Sequence, residues 1–174
     1  YAKTKVLCEK IIKEKIDTKK ISTVIIRPFT VYGPYGRPDM LVLKMLSLIN
    51  QFRPLNIYNH GKHLRDFTYI DDLAKIIFKL SRKKFFKIET FNICASRPIK
   101  IKKILSLTEK YLKKNFSINF HNKRKGEMNI TYGSNKKLLK KINYKKFVSI
   151  EIGLKKTIDW YYRFSNKKIF EIYK

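Results

Sequence analysis

The sequence predicts an α/β fold, and two observations carry the prediction. Short apolar, β-branched runs alternate along the chain with stretches of helical periodicity. One of those runs, Thr23-Val24-Ile25-Ile26, feeds a rigid Pro/Gly-punctuated stretch, Arg27 to Met40, in which Pro28 ends the strand because proline donates no ladder hydrogen bond. A loop of that kind at the carboxyl end of a strand is where an open α/β sheet binds its ligands. At 174 residues and 44% hydrophobic, the chain is long enough for one substantial core and fits one domain or a part of a larger protein.

Taken in order, residues 2–16 place Val6, Leu7, Ile11, Ile12 and Ile16 at amphipathic-helix spacing. The chain opens on Tyr1 rather than Met, already inside this pattern, which reads as the C-terminal part of a longer protein. After the loop, Leu41 to Ile49 is predicted as a helix with Asp39 near its N-cap. Leu55-Asn56-Ile57-Tyr58 reads as a strand and Asn59-His60-Gly61 as a turn. Leu64, Phe67 and Tyr69 form an extended entry to a helix that begins at Asp71-Asp72, whose charges suit the positive end of the helix dipole. Thr90 to Cys94 is a buried strand, Ile101 to Leu112 a helix, Ser117 to Phe120 a short strand and Ile150 to Phe164 a helix with Trp160 and Tyr161 in the core. The lysine-rich tail beyond Phe164 is expected to fray.

Composition narrows the function classes. A net charge of +28 is a nucleic-acid signature, yet only 8 of the 41 basic residues are arginine and the lysines run from Lys3 to Lys174. A nucleic-acid reader concentrates charge on one face and favours Arg, so the excess is read as solvated surface, with a basic binding module kept as the second class. Cys8 and Cys94 stand far apart, which predicts a reducing, cytoplasmic setting without a disulfide framework. No run approaches the ~18 apolar residues of a membrane span, and none resembles a signal peptide. His60, His63 and His121 lack metal-ligand spacing, and His60 and His63, on either side of Gly61, are read as loop residues.

Tyr1 and Lys5, at i and i+4, lie on one helical face. The same spacing recurs at Tyr58/Lys62 and Tyr132/Lys136, where it is read as structural or surface coincidence. Only Tyr1/Lys5 opens a helix that leads into the strand and the R-P-F-T-V-Y-G-P-Y-G-R-P-D-M stretch. Together with L-R-D-F-T-Y-I-D-D at Leu64 to Asp72, these segments resemble the extended short-chain dehydrogenases/reductases, specifically the NAD-dependent epimerases and dehydratases of nucleotide sugars. The resemblance is specific from Tyr1 to Leu80, moderate to Cys94 and loose beyond.

The resemblance implies the C-terminal part of a Rossmann-type parallel sheet (residues 1–38 and 64–96) plus the smaller α/β substrate-binding domain (39–63 and 97–174). It implies Tyr1 as catalytic base, Lys5 as its partner and holder of the nicotinamide ribose, and Tyr1, Lys5 and Pro28 as residues toward NAD. Thr30 and Arg37 are implied to read a sugar carboxylate, and Arg65 the UDP diphosphate. In K-R-K-G-E-M-N-I-T-Y-G-S-N, Arg124 is implied on phosphate or ribose; Glu127 stands where the family usually has Asp on the ribose, and Ser134-Asn135 replaces Ala-Asp. The implied reaction is 4-epimerisation of UDP-glucuronate by a homodimer when full length; the alternatives are a UDP-glucose 4-epimerase or a nucleotide-sugar dehydratase. The glycine-rich pyrophosphate turn and the assisting Ser/Thr are not within these residues.

Overall fold

The computed structural model describes residues 2–144 and 146–164, so Tyr1 and the tail beyond Phe164 lie outside the described residues. Its elements are α1 (Ala2–Lys15), β1 (Val24–Pro28), β2 (Thr30–Tyr32), α2 (Leu41–Asn50), β3 (Leu55–Tyr58), β4 (Leu64–Tyr69), α3 (Ile70–Ser81), β5 (Glu89–Ile93), β6 (Pro98–Lys100), α4 (Ile101–Leu112), β7 (Ile118–His121), α5 (Lys136–Ile142) and α6 (Ile150–Phe164). A 3-10 turn, Asn59–Gly61, joins β3 to β4. The α/β class predicted from the sequence is the class observed.

Among the described residues the strands form three small sheets. β1 pairs in parallel with β5, Val24 opposite Glu89 through Pro28 opposite Ile93. β4 is central to the second, parallel to β2 and antiparallel to β6. β3 and β7 form the third, also parallel. Parallel neighbours need long crossovers, and the helices supply them.

Helical periodicity decides what faces inward. Val42, Leu43, Met45, Leu46 and Ile49 of α2, Ile104 and Leu105 of α4, and Leu154 and Ile158 of α6 close on Leu55, Ile57, Phe67 and Tyr69 in one core. A second core joins Ile76 and Leu80 of α3, Phe91 and Ile93 of β5, and Leu138 and Ile142 of α5. Tyr161 belongs to the first core and Trp160 packs against it half-buried. α1 differs: it buries none of its side chains, and Val6, Leu7 and Ile11 stay exposed, so its amphipathic pattern has no covering partner among the described residues. It is tied to β1 by a bidentate pair from Arg27 to Glu9, both bonds 2.6 Å, which holds the Glu9 carboxyl below its usual range.

Two expectations need correction. The Arg27–Met40 stretch is not irregular throughout, because Thr30–Tyr32 pairs with β4 as β2. Asp39 does not cap α2; the cap residue is Met40 without a side-chain bond, and Asp39 is drawn to Arg37 instead. His63 is a loop residue, as its sequence context predicts, lying between the 3-10 turn and β4, and it is buried there, only 4% exposed.

Candidate functional site

β2, which leads into the turn at Gly33, runs parallel to β4, and β2 together with Arg65 and Phe67 of β4 lines a cavity of about 300 Å³. That volume is at the lower end of small-ligand sites. Gly33 makes the turn possible: its φ is +141°, and a Cβ there would strike the Ile70 side chain. Thr30 on β2, Arg37 in the following turn, Tyr58 at the end of β3, His63, Arg65 on β4 and Glu127 all line this cavity.

Four of the residues implicated from the sequence, Thr30, Arg37, Arg65 and Glu127, therefore converge here although 97 positions separate the first from the last. Arg124 reaches the same place by another route. Its guanidinium lies 3.5 Å from the ring centroid of Tyr58, a cation–π stack. Tyr58, read from its spacing as structural or surface, thus lines the cavity on one side and carries Arg124. Lys5 and Pro28 are not among the lining residues: Lys5 is exposed on α1, and Pro28 ends β1.

The segment that bears Arg124 and Glu127 is fastened at its far end. The Leu64 N–H donates to Asn129 O at 2.9 Å and the Thr131 N–H to Leu64 O at 3.0 Å, a parallel bridge beside β4. Arg65 Nη1 donates to Leu64 O at 2.9 Å and reaches Asn129 O at 3.5 Å. Further on, Asn135, only 7% exposed, donates to Cys94 O at 2.9 Å, and the Ser96 hydroxyl donates to Gly133 O at 2.8 Å. Ser134-Asn135 thereby secures the segment to the end of β5. Asp66, fully buried, accepts from the Ala95 N–H at 3.0 Å; burial pushes its carboxyl up while backbone donors around Gly133 and Ala95–Arg97 pull it down.

Charge in and beside the cavity is cationic, from Arg37, Arg65 and Arg124, with Glu127 as the carboxylate. Arg37 forms a bidentate pair with Asp39, which holds that carboxyl below its usual range. His63 Nδ1 stands 3.8 Å from Glu127 Oε1, and burial lowers the His63 pKa, with Glu127 opposing and Arg65 and Lys123 reinforcing the fall. The arrangement suits an anionic ligand with hydroxyl groups: guanidinium forks for phosphate or carboxylate, and a carboxylate for hydroxyls. No cluster of His, Cys, Asp and Glu able to hold a metal occurs among the described residues. Nor is any described helix long and apolar enough to cross a membrane.

The chain is similar to several known proteins. It is 35% identical over 137 residues to the UDP-glucuronate 4-epimerase of Thermodesulfobacterium geofontis, covering 78% of this chain and 42% of that one. It is 30% identical to the probable UDP-glucuronate 4-epimerase of Rhizobium meliloti, over 92% of this chain and 52% of that one. Among solved structures, the UDP-glucuronic acid 4-epimerase of Bacillus cereus, in complex with UDP-glucuronic acid and NAD, superposes with a TM-score of 0.79 at 32% identity, over 91% of this chain and 50% of that one. The chain thus spans about half the length of the relatives it matches. The model of the NAD-dependent epimerase/dehydratase family matches residues 1–94, more than half of the chain, and the chain belongs to that family.

Proposed function

We propose that this chain supplies the sugar-nucleotide half, and one flank of the dinucleotide site, of an NAD-dependent UDP-sugar 4-epimerase whose substrate is UDP-glucuronate. The observation that carries the reading is the convergence of Thr30, Arg37, Arg65 and Glu127 on one cavity, with Arg124 stacked beside it. A UDP-uronate presents two phosphates, a carboxylate and several hydroxyls. Arg65 and Arg124 are assigned to the diphosphate, Glu127 to ribose hydroxyls, and Arg37 with Thr30 to the C6 carboxylate. A UDP-glucose epimerase or a dehydratase would share the first three roles, so the uronate assignment rests on Thr30 and Arg37.

The chain's end of the dinucleotide site fits the cofactor. The carboxyl end of the parallel β1–β5 pair opens at Pro28, two residues before Thr30 enters the cavity, so a cofactor at the sheet end would adjoin a sugar in the cavity. Lys5 and Pro28, with Tyr1, are the residues that would meet it. NAD would supply the hydride acceptor and donor for the change at sugar C4. Tyr1 accepts the proton of the C4 hydroxyl and gives it back; a free phenol with a pKa near 10 is a poor base, and a lysine ammonium such as that of Lys5, four positions on in the sequence, would favour its phenolate. The division of the chain into sheet and sugar-binding parts, the homodimer and the cytoplasmic setting belong to the same reading.

The test is the full-length protein with NAD and UDP-glucuronate, read by NMR for UDP-galacturonate. Conversion of UDP-glucose alone would overturn the uronate assignment, and conversion of neither sugar the reaction. Residues 1–174 by themselves are expected to turn over no UDP-sugar, since they hold no glycine-rich pyrophosphate turn.

A further inference from the structure

His63 is a buried, titratable cavity residue to which none of the assignments above gives a task. It follows the 3-10 turn and precedes β4, and its carbonyl accepts from the Ile101 N–H at 3.0 Å, so its backbone is fixed at the start of α4. Its side chain is 5% exposed and faces the Glu127 carboxylate through Nδ1 at 3.8 Å, while Nε2 has no hydrogen-bond partner among the described residues. Glu127 lies in Asn122–Met128, a stretch that is otherwise exposed and that turns at Gly126 with φ +80°. One oxygen of its carboxylate, Oε2, is buried and has no partner among the described residues. A carboxylate on such a stretch is held in place only if something buried holds it.

We infer that His63 is a positioning residue for Glu127: its Nδ1–H closes onto Oε1 and sets the carboxylate as a fixed acceptor for ligand hydroxyls. The inference rests on the reading of the cavity as the nucleotide-sugar site. At 3.8 Å the contact is too long for a hydrogen bond, and closing it to the usual 2.7–3.2 Å range needs a movement of roughly half an ångström to one ångström, within reach of a Glu side-chain adjustment. The tautomer follows from the neighbour. Burial keeps the ring neutral at neutral pH, so it carries a single N–H. A bare Nδ1 lone pair turned toward a carboxylate would repel it, which puts the proton on Nδ1 and leaves Nε2 an acceptor. The other charges about the ring, Arg65 on β4 and Lys123 beside Glu127, are cations and offer it nothing to donate to.

The experiment is calorimetric titration of the full-length protein with UDP, a probe that carries the ribose and diphosphate but no sugar. H63N keeps a donor at the place of Nδ1 and is expected to bind within about threefold of the parent. H63Q, whose donor sits one bond further out, and H63M, which has none, are expected to weaken binding roughly tenfold, the scale of one lost hydrogen bond to a charged group. In an E127Q background the H63Q and H63M losses should largely vanish, because the two residues act as a unit. Should H63M fail to fold, the contrast of H63N with H63Q decides. Equal binding by all His63 variants, or losses that simply add to that of E127Q, would overturn the inference and leave the site assignment standing. A parent protein that binds no UDP would overturn the site assignment, and this inference with it.

Discussion

The guanidinium of Arg37, which lines the cavity, holds the carboxylate of Asp39 through two hydrogen bonds, of 3.0 and 2.6 Å. Both side chains are well exposed, so water screens the pair and a ligand carboxylate can compete for the same fork. Arg37→Leu in the full-length protein is therefore expected to lower kcat/KM for UDP-glucuronate by roughly 10- to 100-fold, the scale of a lost charge-assisted hydrogen bond. UDP-glucose, with a hydroxymethyl at C6, should lose far less. Asp39→Asn removes the carboxylate that competes for the fork and is expected to tighten the uronate rather than weaken it. Equal losses for both sugars in Arg37→Leu would remove Arg37 from substrate selection.

Much of this was legible from residue pattern, and the exceptions have physical causes. α4 and α6 run over the residues their periodicity predicts, because each buries one continuous apolar stripe. β2 and β6 have three residues each, too few for alternation to register, and they exist because β4 offers both of its edges. α5, Lys-Lys-Leu-Leu-Lys-Lys-Ile, reads locally as a basic stretch and becomes a helix by burying Leu138 and Ile142 in the second core. At the site, Thr30, Arg37, Arg65, Arg124 and Glu127 were reached through family motifs rather than spacing. His63 and Tyr58 carry no such signal, since a turn residue beside Gly61 and a strand-end tyrosine face the cavity only once β3, β4 and the 122–131 segment are assembled.

In a full-length protein Tyr1→Phe keeps the ring and removes the phenol that exchanges the substrate proton. The rate is expected to fall by roughly 10²- to 10⁴-fold, with UDP-sugar affinity little changed. Stopped assays of turnover beside calorimetry of binding separate the two. Near-parental turnover would leave Tyr1 as a helix residue and nothing more.

Asp72 illustrates an acidic residue whose value is structural. It is 1% exposed, and its carboxylate accepts the Tyr144 hydroxyl at 2.7 Å and the Val148 N–H at 2.8 Å, joining the start of α3 to the link between α5 and α6. The dipole argument drawn from sequence is thus secondary to two direct bonds. Asp72→Ala leaves both donors without their partner and is expected to cost about 2–4 kcal/mol in urea denaturation, whereas Tyr144→Phe, which removes one bond, should cost about 1–2 kcal/mol. A loss under about 0.5 kcal/mol for Asp72→Ala would mean that water replaces the carboxylate without penalty.

Gly153 and Tyr32 give the sharpest test of the packing behind the site. A Cβ on Gly153 of α6 would fall on the Tyr32 hydroxyl and come within 2.9 Å of Tyr32 Cζ and of the Tyr69 ring, so the glycine is what lets α6 close on β2 and β4. Gly→Ala inside a helix ordinarily gains about 0.5–1 kcal/mol, but here overpacking should dominate and destabilise by about 1–3 kcal/mol. The Tyr32 hydroxyl is buried and has no partner among the described residues, so Tyr32→Phe is expected to be neutral or slightly stabilising. Because that hydroxyl is the nearest obstacle, Tyr32→Phe should also recover part of the Gly153→Ala loss, a coupling that independent sites would not show. Titration adds a second signature. Burial raises the Tyr32 phenol well above its ordinary value of 10, with Asp72 adding to the rise. A raised folded-state pKa contributes stability that is complete below pH 10 and is lost as pH climbs toward the folded-state value. Tyr32→Phe should therefore flatten the fall of stability above pH 10, while Tyr144, raised in the same direction, keeps part of it. Additive losses in the double variant, together with an unchanged alkaline limb, would mean that the Tyr32 hydroxyl is not what Gly153 accommodates.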